Sequence, residues 1–147
     1  MRRGFARELS DILGDKLTYL ATFVAAMDAG SYDLLLCPAT PIAAAWHGLT
    51  KQVLPDVSAP SVLLTMLGVP AGAVPVTRVR PGEESDRPES RDVARKAART
   101  VEQGSTGLPV GVQVAARHWR EDVVLAAMQA IETAASSHSD HPAVPPR

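Results

Sequence analysis

Residues 104–121, Gly-Ser-Thr-Gly-Leu-Pro-Val-Gly-Val-Gln-Val-Ala-Ala-Arg-His-Trp-Arg-Glu, restrict the fold more than any other stretch of this chain. Gly104 and Gly107 bracket Ser105 and Thr106 as a turn. The run Leu108 to Ala116 is short, apolar and rich in valine, which is the composition of a buried strand. Pro109 has no N–H for a ladder, so it suits a strand's first residue or an edge. Gly111 leaves room for another backbone to come close. Arg117, His118 and Trp119 end the strand, and Glu121-Asp122 open a helix. A central strand entered through a glycine turn and left into a docking helix is therefore the expected centre of the fold.

The other elements can be placed around it. Leu9, Ile12, Leu13, Leu17, Leu20, Val24 and Met27 recur at three- and four-residue steps, which predicts an amphipathic helix over 5–29. Gly14-Asp15 is a candidate interruption, and Gly30 a candidate left-handed cap. Asp33 to Pro38 is an apolar strand stopped by its proline. Residues 42–57 have no usable period and read as an irregular loop holding Trp46 and His47. Ser58 is the expected cap of a short helix through Leu67 carrying Val62, Leu63, Met66 and Leu67. A second strand runs from Ala73 to Val79, with Pro75 kinking it or placing it at an edge. Pro81 to Ser90 is a charged, turn-rich, exposed loop. Ser90 is expected to cap a helix over 91–103, with Val93, Ala94, Ala97, Ala98 and Val101 buried and Arg91, Arg95 and Arg99 in solvent. Val124, Leu125, Met128, Ile131 and Ala135 give the last helix its apolar face. Residues 136–147 read as a disordered tail after a domain over 1–135.

This order is α/β: a partial sheet of about three strands flanked by helices. The chain supplies few elements to cover both faces of those strands, so they look like part of a larger sheet.

Composition narrows the function. The formal net charge of −1 and the lack of a basic stripe interleaved with aromatics argue against nucleic acid as a partner. No apolar stretch is long enough for a transmembrane segment. Cys37 is the one cysteine, so no internal disulfide forms; it reads as a buried thiol in a cytoplasmic chain. Ser105 lies in Gln-Gly-Ser-Thr-Gly, which lacks the first glycine of a nucleophile elbow and precedes a strand instead of following one. It reads as a turn with a capping hydroxyl. His138 and His141 have a metal-compatible spacing but no third ligand nearby, so no metal is assigned. His118-Trp119 fits a pocket lining and a sheet rim equally well; for His47 beside Trp46 the rim is preferred. No phosphate loop or dinucleotide fingerprint is present, so no cofactor is assigned. The residues taken alone contain no complete active site.

Three motifs, in order, carry a resemblance. Tyr32-Asp33-Leu34-Leu35-Leu36-Cys37-Pro38-Ala39-Thr40-Pro41, then Gly68-Val69-Pro70-Ala71-Gly72-Ala73-Val74-Pro75-Val76-Thr77, then Gly107-Leu108-Pro109-Val110-Gly111-Val112-Gln113 resemble the C-terminal part of the amidase signature family. The form of the second motif, the helical insertion over 80–103 and Trp119 with acidic residues after it are most similar to the fatty-acid amide hydrolase branch. The resemblance covers about residues 15–134. It implies a large mixed sheet flanked by helices and amide hydrolysis by a serine, a second serine on a cis peptide bond and a lysine base. No stretch here matches the serine loop, and Lys16, Lys51 and Lys96 lack the lysine's setting. The chain therefore resembles the closing part of such an enzyme, a C-terminal fragment with no catalytic residue of its own and the N-terminal half missing. The resemblance also implies that Ser61, Val62, Thr65, Met66 and Trp119 line a channel for a small-molecule amide substrate. Thr65 stands where asparagine is usual, which puts a polar contact there in doubt. Because relatives without the insertion join the second and third strands by a short link, those two strands are expected to pair antiparallel.

The competing reading is a non-catalytic, free-standing α/β module that binds a partner or an apolar ligand. On the fragment reading, the isolated chain is expected to be poorly soluble or a homo-oligomer, because its strands ask for cover on both faces.

Overall fold

The computed structural model describes residues 2–57 and 59–142. The elements are α1 (Arg2–Ala29), β1 (Leu34–Pro38), α2 (Thr50–Val57), α3 (Ala59–Leu67), β2 (Ala71–Arg78), α4 (Val93–Gln103), β3 (Pro109–Ala116) and α5 (Glu121–Ala135). The sheet order is β1-β3-β2, so the valine-rich strand is the central one, with Pro109 as its first residue. Both pairings are antiparallel: Leu35 faces Ala115 on one side, and Val74 faces Val112 on the other. The antiparallel β2–β3 pair expected from the motifs is present, with α4 as the excursion between its strands.

Strand alternation sorts β3 onto two faces. Val114 and Ala116 pack with Val124 of α5, beside Met128 and Ile131. Ala115 lies on the opposite face with Leu64 and Leu67 of α3, and Leu20 and Phe23 of α1 pack there as well. A third cluster joins the insertion to the rest: Ile42 and Val53 against Ala97, Ala98 and Val101.

That third cluster corrects the expected loop over 42–57, since Thr50–Val57 is helical. Pro55 and the lack of a period hide the helix in the sequence. Val53, fully buried against α4, holds it in place, and the Leu49 carbonyl accepts the N–H groups of Gln52 and Val53. The Ser58 cap lies outside the described residues, as do positions 143–147.

Other expectations shift in detail. Gly14 does not interrupt α1. The C-terminal half of that helix packs, with Met27 buried, whereas Leu9, Ile12, Leu13 and Leu17 are exposed. The left-handed residue after α1 is Ser31 (φ 53°), not Gly30; a side chain at Gly30 would overlap the Tyr32 ring. α4 is capped by Asp92, whose carboxylate accepts the Arg95 N–H at 2.9 Å, while the Ser90 hydroxyl accepts the Asp92 N–H. Val93 and Leu125, both expected in apolar faces, are exposed, Val93 as the first residue of α4.

The loop before α4 is exposed as expected, yet it is pinned. Arg87 grips Glu102 (Nη2–Oε1 2.8 Å, Nε–Oε2 3.2 Å), and the Ser85 hydroxyl donates to Glu102 Oε2 at 2.6 Å. Thr106 donates to Glu84. Partial burial pushes the Glu102 pKa up, but the Arg87 and Ser85 hydrogen bonds and the Arg87 charge together hold it below the usual value. A carboxylate with a depressed folded-state pKa stabilises the fold above its unfolded value, about 4.3, and loses that contribution as pH falls through the folded value. Arg87→Met is therefore expected to cost about 1–2 kcal/mol at pH 7, because Glu102 is left half-desolvated with only Ser85. Urea titrations at pH 7 and pH 3 check this: the penalty shrinks in acid, and an equal penalty at both pH values contradicts the assignment.

Candidate functional site

α3 has apolar residues on both faces, and packing decides which face points inward. Leu64 and Leu67 are buried under the sheet, which leaves Val62, Thr65 and Met66 outward at helical spacing. Ser61 is half-buried, and its hydroxyl donates to the Ala39 carbonyl at 2.8 Å, tying the first turn of α3 to the end of β1. The Thr65 hydroxyl turns back to the Ser61 carbonyl at 2.8 Å. It is therefore engaged within its own helix.

Trp119 sits in the turn between β3 and α5. It is 86% exposed and has φ of 62°, a left-handed conformation that costs a bulky residue energy. The turn abuts the C-terminal end of α3: His118 Cε1 lies 3.8 Å from where a Gly68 side chain would begin. The structure thus gathers Val62, Thr65 and Met66 on one helix face and places the turn that carries Trp119 at the end of that helix. Ser61 lies at the other end, turned toward β1.

A separate cleft of about 500 Å³ opens at the end of the sheet where β1 and β2 finish and β3 begins. Thr40, Ile42, Glu84, Ser85, Glu102 and Ser105 are among its lining residues. Sequence reasoning missed it, because it is made by the pinned insertion loop folding back over the β1 exit. Ser105 is 1% exposed, and its hydroxyl donates to the Glu102 carbonyl at 2.5 Å. It is the capping hydroxyl that the turn reading anticipated. Cys37 is partly buried, and burial pushes its thiol pKa up, which makes the thiolate less available. His47, His118 and His138 are exposed. Among the described residues, no group of three His, Cys, Asp or Glu side chains is arranged to hold a metal, and no helix is long and apolar enough to cross a membrane.

The Trp46 ring lies close to Gly104, where a side chain would overlap it, so a glycine at the opening of the central turn makes room for that ring. With this fold and these motifs in place, a family model described as Amidase matches residues 12–125. The chain belongs to the amidase family. It is also 36% identical over 131 residues to fatty acid amide hydrolase 1 of Caenorhabditis elegans, a match covering 86% of this chain and 23% of that protein. This amidase chain thus spans about a quarter of the length of the curated relative it matches.

Proposed function

We propose that this chain supplies core sheet and one wall of the substrate channel to an amide hydrolase related to the fatty-acid amide hydrolases. The hydrolytic serine, bridging serine and lysine base then belong to polypeptide outside these residues, and the substrate is a small-molecule amide with an apolar acyl part. The observation that carries this reading is the uncovered apolar ground formed by Val62 and Met66 on α3, with an exposed, strained Trp119 at the end of that helix. Left-handed backbone costs energy, and a tryptophan left 86% exposed returns little stability for it, which supports a role in contact with something else. The match to a quarter of an amide hydrolase supports the reaction class. On this reading residues 1–135 form one unit in a cytoplasmic enzyme. The isolated chain self-associates through its open surface, which includes Ile12, Leu13 and Leu17.

A chimera in which this chain replaces the matching segment of the C. elegans relative tests the proposal. Trp119→Ala in that chimera is expected to lower kcat/KM for a long-chain N-acyl amide about tenfold, a loss of roughly 1.4 kcal/mol. For a short acyl amide it is expected to change little. Equal losses on both substrates would remove the channel-wall role.

A further inference from the structure

Five cationic side chains crowd one short span: Arg87, Arg91, Arg95, Lys96 and Arg99 stand beside two acids, Glu89 and Asp92, in a chain whose formal net charge is −1. Arg87 is engaged with Glu102, and the Asp92 carboxylate caps α4. Lys96 and Arg99 are one turn apart on α4, on the side away from buried Ala97, Ala98 and Val101, and Arg91 stands just before the helix. A pocket of about 550 Å³ opens there, lined by Glu89, Ser90, Arg91, Lys96 and Arg99. Arg99 Nη1 lies 3.1 Å from Glu89 Oε1, but the Arg99 side chain is 31% exposed and that of Glu89 89%. The half-buried cation is thus paired with a solvated carboxylate on the loop, which contributes little and exchanges easily. Arg91 and Lys96 have no ion-pair partner among the described residues. The half-buried Ser90 hydroxyl accepts the Asp92 N–H and keeps its own proton available to donate.

We propose that this pocket is a binding site for a phosphate monoester. The phosphoryl oxygens take hydrogen bonds from the Arg91 and Arg99 guanidinium groups, the Lys96 ammonium and the Ser90 hydroxyl, and they displace the Glu89 carboxylate into solvent. The preference over a carboxylate follows from charge. Arg91, Lys96 and Arg99 against Glu89 leave two positive charges, and a phosphate monoester carries about −1.5 to −2 at pH 7. A guanidinium fork meets phosphate oxygens in pairs, and lysine adds a point charge. A pocket of this volume holds more than a bare phosphate, so a small organic body accompanies it. Bound there, the ligand ties the loop before α4 to the helix itself, on the side away from the packing against Ile42 and Val53. None of these residues belongs to the candidate channel wall, and the site stands whether or not the chain works within an amide hydrolase.

Isothermal titration of the 147-residue chain with glycerol phosphate at low ionic strength tests the site. Saturable binding is expected, with the urea midpoint raised at saturating ligand. Lys96→Gln and Arg99→Gln are each expected to weaken binding about tenfold, since each removes a charge-assisted hydrogen bond. Glu89→Gln is expected to strengthen it about threefold, because Arg99 loses its competing partner. Lys16→Gln removes the same charge from the exposed part of α1 and is expected to leave the affinity unchanged. Vesicles of phosphatidylcholine with phosphatidic acid separate the sources of the phosphoryl group. Binding to glycerol phosphate alone supports the site with a soluble ligand, and binding to both supports it with a lipid headgroup. Binding to vesicles alone, equal affinities in Lys16→Gln and Lys96→Gln, or no saturable binding at all overturns the proposal.

Discussion

Leu67→Ala is expected to lower the stability of the chain by about 2–5 kcal/mol. Leu67 is 1% exposed and holds the C-terminal end of α3 against β3, in a cluster with Leu64, Val69 and Ala115. The loss has two parts: the transfer of the removed methyl and methylene groups, and a cavity that the short helix cannot collapse. α3 has nine residues, and Gly68 and Pro70 follow it closely, so its freedom to re-seat is small. The functional consequence follows from the same geometry. Val62 and Met66 face outward only because Leu64 and Leu67 face inward, so loosening the inner row also frees the proposed channel wall. Chemical denaturation reads the stability term. A change under about 1 kcal/mol would mean that α3 is not anchored as described.

Gly111→Ala is the second large effect, and it is a question of space. An added Cβ would sit 2.7 Å from the Val74 carbonyl oxygen and 3.2 Å from its carbon, both parts of the β2 backbone. The irregular register between Pro75 and Thr77 belongs to the same crossing, so relief requires the two strands to move apart. Overpacking against backbone typically costs about 1–3 kcal/mol. Gly72→Ala is the control. Its added Cβ would meet the Met128 thioether, which can swing away, so a smaller loss is expected. Paired urea titrations order the two variants; Gly72→Ala as costly as Gly111→Ala would contradict the account of the bulge.

The centre of this fold was legible in the sequence because residues 108–116 are apolar for the length of one strand and are bounded by glycine and charge. The pairing of β2 with β3 was legible only through the family motifs, since neither strand's own residues name a partner. α2 was hidden because its packing against α4 through Val53 has no periodic signal, and because Pro55 argues against helix wherever it occurs. α1 gave the opposite difficulty: its apolar period runs on through Leu9, Ile12, Leu13 and Leu17, which are exposed, whereas Leu20, Phe23 and Met27 find neighbours. Periodicity reports which face could pack, not what is there to receive it. The grip of Arg87 on Glu102 was equally invisible, since a charged loop reads as solvated whether or not its members close on a helix fifteen residues away. As for the candidate site, α3 has apolar residues on both its inner and outer sides, so no period could mark Val62 and Met66 as its outer row. The family resemblance named them, and packing against β3 explains why they are outside.

The central claim is that this chain builds the frame and wall of an amide hydrolase and that the reacting serine lies elsewhere. Reaction with a serine-directed fluorophosphonate, read by mass spectrometry of the labelled peptides, tests it most directly. The account predicts no label on the isolated 147-residue chain and one stoichiometric label in the chimera, on a serine outside the segment supplied by this chain. Stoichiometric labelling of Ser105, or of any other serine of the isolated chain, would contradict it.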